Sequence, residues 1–312
     1  MTAAELRNAM ADRLRTWGGG VIPAQVEAAM RVVPREAFLP GASLADAYGR
    51  SPIVTHRDVH GVATSSASAP GIVAAMLAQL DVRPGHRILE IGAGTGYNAA
   101  LLACLCGPAG QVTTVELDSV VAAEAKNALA TAGWGQVTVI VGDGEYGYAP
   151  GAPYDRIIVT AGAWDLPKAW ADQLAPDGLL VAPLRLRGLT RSIAFEHTSG
   201  IWRSLSMYEC GFMPMRGAGS VPERNIPLGN SGITIRIDDG QPADATALQQ
   251  ALGSGHAQIW TGIEVTATGE LDFWLAGNRG VFRLLAGSEA VTRSGLVPPA
   301  AHRRLRRPHS RI

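Results

Sequence analysis

The sequence predicts an α/β protein: a mostly parallel sheet with helices on both faces, followed by a small α+β unit. Three observations lead there. From residue 86 onward, short apolar runs alternate with helical stretches at the spacing of βαβ units. A glycine-rich turn, LEIGAGTG (89–96), joins the first of those runs to the first of those helices. Near residue 217 the composition shifts to Gly, Pro and Asn, the signature of a linker or long loop. The predicted organisation is an N-terminal helical segment (1–85), a sheet core (86–216), a small α+β extension (217–296) and a basic tail (297–312).

Taken in order, residues 3–16 read as a helix, with Leu6, Met10 and Leu14 recurring every four positions. A second helix starts near Pro23 and carries Val26, Ala29, Met30 and Val33 on one face. VPREAFLPG breaks it with two prolines. Residues 41–69, rich in small and polar residues, read as loop with possible short strands. A helix follows Pro70 as far as Leu80. Then come strand HRILEI, helix YNAALLACL, strand QVTTVEL, helix VVAAEAKNALATAG, strands VTVIV and YDRIIVTA, and a helix after Pro167. GLLVAPL closes the parallel set, and SIAFEHT with IWRSLSMYEC reads as an antiparallel pair. In the extension, ITIRID, QIWTGIEV, ELDFWLA and VFRLLA read as strands and ADATALQQAL as a helix.

Composition excludes several classes. The chain has 312 residues, 47% of them hydrophobic and 17% charged, too apolar for disorder. Its 27 basic and 27 acidic residues cancel, so no global field steers nucleic acid to it. The five arginines between 303 and 311 have no interleaved aromatic residue and read as a solvated tail. Nucleic acid and membrane are therefore not expected partners. The amphipathic N-terminus is neither a secretory signal nor a span, so a soluble cytoplasmic protein is expected. Cys104, Cys106 and Cys210 cannot form a fully paired framework and read as small buried hydrophobes. His56 and His60 have helical metal-ligand spacing but lie in a loop with no third ligand, so no metal is expected.

Gly92, Gly94 and Gly96 leave the backbone free to turn and to approach a ligand closely. The dinucleotide fingerprint would need its third glycine at 97, where Tyr97 stands. Glu90, two residues before the loop, would repel a pyrophosphate and suits a cationic ligand such as S-adenosyl-L-methionine. Glu116 ends the second strand, where an acid accepts from ribose hydroxyls; Asp143 and Gly144 end the third, where a carboxylate can meet an adenine amino group. Each acid alone could be a solvated strand end or a helix cap. Four such signals at the carboxyl ends of successive strands point jointly to a ligand edge in a Rossmann-like sheet. Trp164, after the fourth strand, is equally readable as pocket wall or core.

VVPREAFLPG (32–41), SASAPGIVAAM (66–76), RILEIGAGTGYNAALLA (87–103), VGDGEYGY (141–148), APYDRIIVTAGA (152–163) and QLAPDGLLVAPL (173–184) resemble the protein-L-isoaspartate O-methyltransferases. The resemblance covers about residues 20–215. It implies a S-adenosyl-L-methionine-dependent methyltransferase sheet and a carboxyl O-methyltransferase acting on isoaspartyl or aspartyl groups of a peptide or protein. It implies Ser68 as the active-site serine, on the substrate side, and Glu90, Gly92, Gly94, Glu116, Asp143 and Gly144 at the cofactor; Gly96 of the same glycine loop is grouped with the cofactor residues and Ser66 with Ser68 on the substrate side. On position alone, Ser66 or Ser68 is as readily a cap of the following helix. The chain departs from the repair enzymes at Ser66–Gly71 and in continuing past Phe212-Met213-Pro214-Met215. LRLRGLTRSIAFEH and CGFMPMRG are more similar to methyltransferases of ribosomal-peptide maturation, which keep the same core, carry a C-terminal extension and methylate aspartate in a precursor peptide. That alternative, and a catalytically silent peptide-binding protein, stand beside isoaspartyl repair.

Overall fold

The computed structural model describes residues 1–15, 22–186, 189–222, 224–227, 233–237, 244–253 and 285–286. The chain divides into two compact units: Met1–Arg185 with Thr190–Ser220, and Leu186–Leu189 with Val221–Ile312.

The first unit opens with helices α1 (Ala3–Leu14) and α2 (Ala24–Val32). A capping box starts α1: Glu5 N–H donates to Thr2 Oγ1 at 3.2 Å and Thr2 N–H to Glu5 Oε2 at 2.8 Å. After α2 the chain makes a 3₁₀ turn at Arg35–Phe38, then the single-turn helix α3 (Leu44–Ala47). Residues 53–67, loop-like in sequence, form an antiparallel hairpin of β1 (Ile53–Arg57) and β2 (Ala63–Ala67). Its tip is set by Asp58, whose Oδ1 accepts from the N–H of His60 and of Val62 at 2.9 and 2.8 Å.

Helix α4 (Pro70–Leu80) follows, buried along almost its whole length. That is why its sequence, PGIVAAMLAQL, shows no polar face. Asp81 ends it in the left-handed conformation, φ 47°. The core then alternates as the sequence predicts: β3 (Arg87–Ile91), α5 (Tyr97–Cys106), β4 (Gln111–Glu116), α6 (Ser119–Thr131), β5 (Thr138–Val141), β6 (Tyr154–Val159), α7 (Lys168–Gln173), β7 (Leu174–Leu186), β8 (Leu189–Thr198) and β9 (Ile201–Glu209). These strands form one sheet in the order β5-β4-β3-β6-β7-β8-β9. The pairs β3–β4, β4–β5, β3–β6 and β6–β7 are parallel, and β8–β9 is antiparallel. Chain order reverses across β3: β4 and β5 lie to one side, β6 and β7 to the other. Such a reversal opens a crevice at the carboxyl ends of the strands.

In the second unit, Arg224–Pro227 of the predicted linker forms strand β10, paired antiparallel with β11 (Ile233–Ile237). Helix α8 (Ala245–Gly253) is capped by Asp244, and β12 (Leu285–Ala286) pairs with β11. The predicted strands QIWTGIEV and ELDFWLA, most of VFRLLA, and the tail 297–312 lie outside the described residues. Among the described residues, no helix is long and apolar enough to cross a membrane. Cys104, Cys106 and Cys210 are free thiols, half-buried or buried.

Candidate functional site

A cavity of about 570 Å³ opens at that crevice, within the range of about 300–1,000 Å³ usual for ligand pockets. One wall is the carboxyl edge of the sheet: Ile91–Thr95 after β3, Val115–Leu117 at the end of β4, Gly144 after β5 and Ile158–Ala161 at the end of β6 except Val159. The opposite wall is Thr64–Ala69 with the first turn of α4; the segment Glu209–Arg216 completes it. Ser66, Ser68, Glu90, Gly92, Gly94, Glu116 and Gly144 all line this one space. Gly96 and Asp143 do not reach it.

The glycine loop is held by its neighbours. Gly92 has φ 98°, and a Cβ there would stand 2.5 Å from Thr160 Oγ1. That hydroxyl lies 2.6 Å from Gly92 O and 3.0 Å from Ile91 O, tying the end of β6 to the loop. Gly94 N–H donates to Glu116 Oε2 at 3.0 Å, so the acid ending β4 orients the loop directly. Gly96 caps α5, and its missing Cβ lets α6 approach: a side chain there would come within 3.1 Å of Leu129 Cγ.

Glu90 is wholly buried yet faces the cavity. Its carboxylate accepts from Asn98 Nδ2 at 2.8 Å and Thr114 Oγ1 at 2.6 Å, and no cation among the described residues pairs with it. Burial pushes its pKa up to about 7, assisted by the charge of Glu116, against the pull of those two hydrogen bonds.

Asp143 lies one step back from the cavity. Its Oδ1 accepts from Glu145 N–H at 3.0 Å and its Oδ2 from Ala218 N–H at 2.7 Å. Residues 215–219 thus form a strap over the β5 end. Gly217, at φ 83°, lies so close that a Cβ would meet Asp143 Oδ2 at 2.4 Å. The strap is fixed upstream as well: Gly162 N–H donates to Met213 O at 2.7 Å and Met215 N–H to Gly162 O at 2.9 Å. Trp170 and Gln173 of α7 support the loop after Asp143, through Trp170 Nε1 to Gly144 O at 2.9 Å and Gln173 Nε2 to Tyr146 O at 2.8 Å.

On the opposite wall the helix-cap reading of the serines fails. The N-cap of α4 is Ala69, with no side-chain cap bond, and the Ser66 and Ser68 hydroxyls bond no group among the described residues. With Pro70 at its start, α4 turns the N-terminal end of an 11-residue helix toward the cavity through Gly71 and Ile72. Arg35 lines the same region, 1% exposed, and donates through Nη2 to Ser68 O at 2.9 Å. Sequence reasoning assigned nothing to Arg35, Thr160, Asn98 or Trp170. The first three were legible only as members of the quoted segments, and Trp170 had no signal beyond helical spacing. Trp164 does not line the cavity; its ring lies under the Arg185 guanidinium at 4.9 Å. His56 Nε2 lies 3.0 Å from Glu124 Oε2, while His60 stands on the exposed hairpin tip.

The protein-L-isoaspartate(D-aspartate) O-methyltransferase family matches residues 5–218. The chain belongs to that family. It is a S-adenosyl-L-methionine-dependent O-methyltransferase by that membership, with the Rossmann-like α/β fold the sequence predicts. The protein-L-isoaspartate O-methyltransferase of Methanopyrus kandleri is 41% identical over 213 residues, 68% of this chain and 91% of that protein. Protein-L-isoaspartate O-methyltransferase 1 of Rhodopseudomonas palustris is 48% identical over 180 residues, 55% of this chain and 70% of that protein. A solved protein-L-isoaspartate O-methyltransferase superposes with a TM-score of 0.63 at 28% identity, covering 72% of this chain and 74% of that one. The Plasmodium falciparum protein described as a putative protein-L-isoaspartate O-methyltransferase in complex with S-adenosyl-L-homocysteine shares the fold, with a TM-score of 0.58 at 19% identity over 67% of this chain and 98% of that one.

Proposed function

We propose that this enzyme transfers a methyl group to an isoaspartyl carboxylate of a peptide or protein, with the sheet wall holding the cofactor and the Ser66–Ser68 wall receiving the carboxylate. The observation that carries the reading is one cavity with a buried carboxylate, Glu90, on one wall and serine hydroxyls at a helix N-terminus on the other, the first without a cationic partner and the second without a hydrogen-bond partner among the described residues. S-adenosyl-L-methionine supplies the methyl group as a sulfonium. Glu90 favours the cationic end of that ligand. Glu116 would accept from its ribose hydroxyls, Gly92, Gly94 and Gly96 shape the loop, and Gly144 would line the adenine end with Asp143 one step behind it.

A substrate carboxylate has a reference pKa near 4, so it arrives ionised and needs no general base. The chain's task is alignment and exclusion of water. Ser68 Oγ donates to the incoming carboxylate, Ser66 flanks it, and the N-terminus of α4 favours its charge. Ile72, Met76, Phe212 and Met215 give the cavity apolar lining.

The test is methyl transfer from labelled S-adenosyl-L-methionine to a synthetic L-isoaspartyl peptide and to its aspartyl twin. Turnover of the isoaspartyl form alone supports the reading; turnover of neither overturns it. A second reading, a dedicated enzyme of ribosomal-peptide maturation, draws on the departures at Ser66–Gly71 and on residues 219–312, which lie beyond the family match. The names of the relatives above favour the first. Activity on a co-encoded precursor and not on generic isoaspartyl peptides would favour the second. We place the enzyme in the cytoplasm, where free thiols stay reduced.

A further inference from the structure

Arg35 stands out among the buried side chains. It is 1% exposed, and among the described residues no carboxylate pairs with it. Its neighbour Glu36 is taken by the Tyr48 hydroxyl and lies 3.9 Å from Arg7. A guanidinium without a counter-ion in a protein interior is costly, and is retained only where its geometry is needed.

That geometry joins three elements. Nε donates to Ala47 O at 2.8 Å, at the end of α3. Nη2 donates to Ser68 O at 2.9 Å, between β2 and α4. Its Cζ lies over the Tyr97 ring, 4.8 Å from the centroid, at the first residue after the glycine loop. Nη1 is buried and has no hydrogen-bond partner among the described residues. Three different uses of one planar group are available to arginine and not to lysine, whose ammonium is a single point donor.

We propose that Arg35 is a positioning residue for methyl transfer: its guanidinium fixes the serine wall relative to the glycine loop, setting the distance and line between acceptor oxygen and methyl donor. The proposal rests on the reading of Ser68 given above. Arg35 takes up the Ser68 carbonyl and leaves the hydroxyl free for the carboxylate. It spans the cavity's two walls without projecting a donor to solvent. Transfer between two bound groups depends steeply on such registration, which a displacement of about 1 Å can degrade by about 100-fold.

The test uses the full chain and a synthetic hexapeptide with one L-isoaspartyl residue. Arg35→Lys keeps the charge and removes the fork. Its kcat at saturating peptide should fall about 100-fold, while S-adenosyl-L-methionine affinity by calorimetry stays within about twofold. Methylguanidinium, and not methylammonium, should restore part of the turnover of Arg35→Ala. Unchanged kcat in Arg35→Lys overturns the proposal. So does a loss of cofactor affinity matching the loss of turnover, which would assign Arg35 to the cofactor or the fold. Arg35→Gln replaces the lysine variant if melting shows that the latter is unfolded. Hydrogen exchange gives a readout independent of activity: exchange across β2 and the first turns of α4 should quicken by about tenfold or more in the variant, with β3 and β6 unchanged. Equal exchange overturns the proposal. An unaltered protein that methylates no isoaspartyl peptide defeats the functional reading and with it the catalytic part of the proposal, and the exchange result then decides only whether Arg35 braces the serine wall.

Discussion

Along the sheet wall, polar groups are held by the strand ends themselves. Glu116 takes the Gly94 N–H, Thr160 locks Gly92, and Glu90 is gripped by Asn98 and Thr114, all within a few residues of β3, β4 or β6. The opposite wall is built mainly from elements outside the central sheet. It is a two-stranded hairpin, a 3₁₀ turn and the start of a helix, braced by one buried guanidinium. A wall made by strand ends tolerates little change at any one place. A wall assembled from short elements can be retuned piece by piece, which suits the side that meets a variable substrate.

The largest effect should come from the sheet wall. Gly92→Ala combines a positive φ with a methyl 2.5 Å from Thr160 Oγ1. Strain of about 1–3 kcal/mol adds to that clash, and S-adenosyl-L-methionine binding should become undetectable by calorimetry. Gly133→Ala is the control: it has φ 85° but nothing within 4 Å of the added carbon. It should cost only about 1–2 kcal/mol in stability and leave binding intact. Equal effects of the two substitutions would show that the close approach to Thr160 is irrelevant.

The asymmetry between the walls also decides what the sequence reveals. Buried parallel strands are continuous apolar runs, and their ends carry glycines and acids in a fixed order, so β3 to β6 and the loop were legible. The hairpin was obscured by small polar residues such as Thr64, Ser65 and Ser66, which carry little hydrophobic alternation. Arg35 was missed because an arginine is ordinarily read as surface. Its burial follows from contacts with Ala47, Ser68 and Tyr97, distant in sequence. Gly217 reads as linker for a related reason: its need for glycine comes from Asp143, 74 residues earlier in the chain.

Glu90 gives the next effect, through pH. Its pKa in the ligand-free fold is raised to about 7, above its unfolded value. It therefore contributes stability that is present below about pH 4.5 and is lost as pH rises through about 7. A cationic ligand favours the charged form, so binding expels the proton where Glu90 is still protonated. S-adenosyl-L-methionine affinity should fall toward about tenfold per unit as pH drops below 7. Glu90→Gln should bind more weakly at pH 8 and lose this dependence. A flat affinity profile in the unaltered protein would remove the cationic-ligand role of Glu90.

Ser68→Ala tests the other wall at a smaller scale. Losing one hydrogen bond to a charged group should cost about 1.5–3 kcal/mol in kcat/KM on an isoaspartyl peptide. Cofactor affinity and melting temperature should hold, since Ser68 caps nothing. A stability loss of about 1 kcal/mol with normal turnover would restore the cap reading.

Gly217→Ala should give the smallest effect, and it tests whether the strap belongs to the sheet wall. A methyl at Gly217 would lie 2.4 Å from Asp143 Oδ2, so the strap must lift or the carboxylate must turn. Either way the Ala218 N–H bond to Asp143 is lost. A neutral backbone donor to a half-buried carboxylate, whose loss water partly makes good, is worth about 1 kcal/mol, or roughly fivefold in an equilibrium. If that bond presets the carboxylate for an adenine amino group, S-adenosyl-L-methionine affinity should weaken by that factor, with kcat at saturating cofactor unchanged. If the strap instead competes with the ligand for Asp143, affinity should rise by a similar factor. The sign of the change separates the two. An unchanged affinity would detach Asp143 from the cofactor altogether and leave the strap as packing over the end of β5.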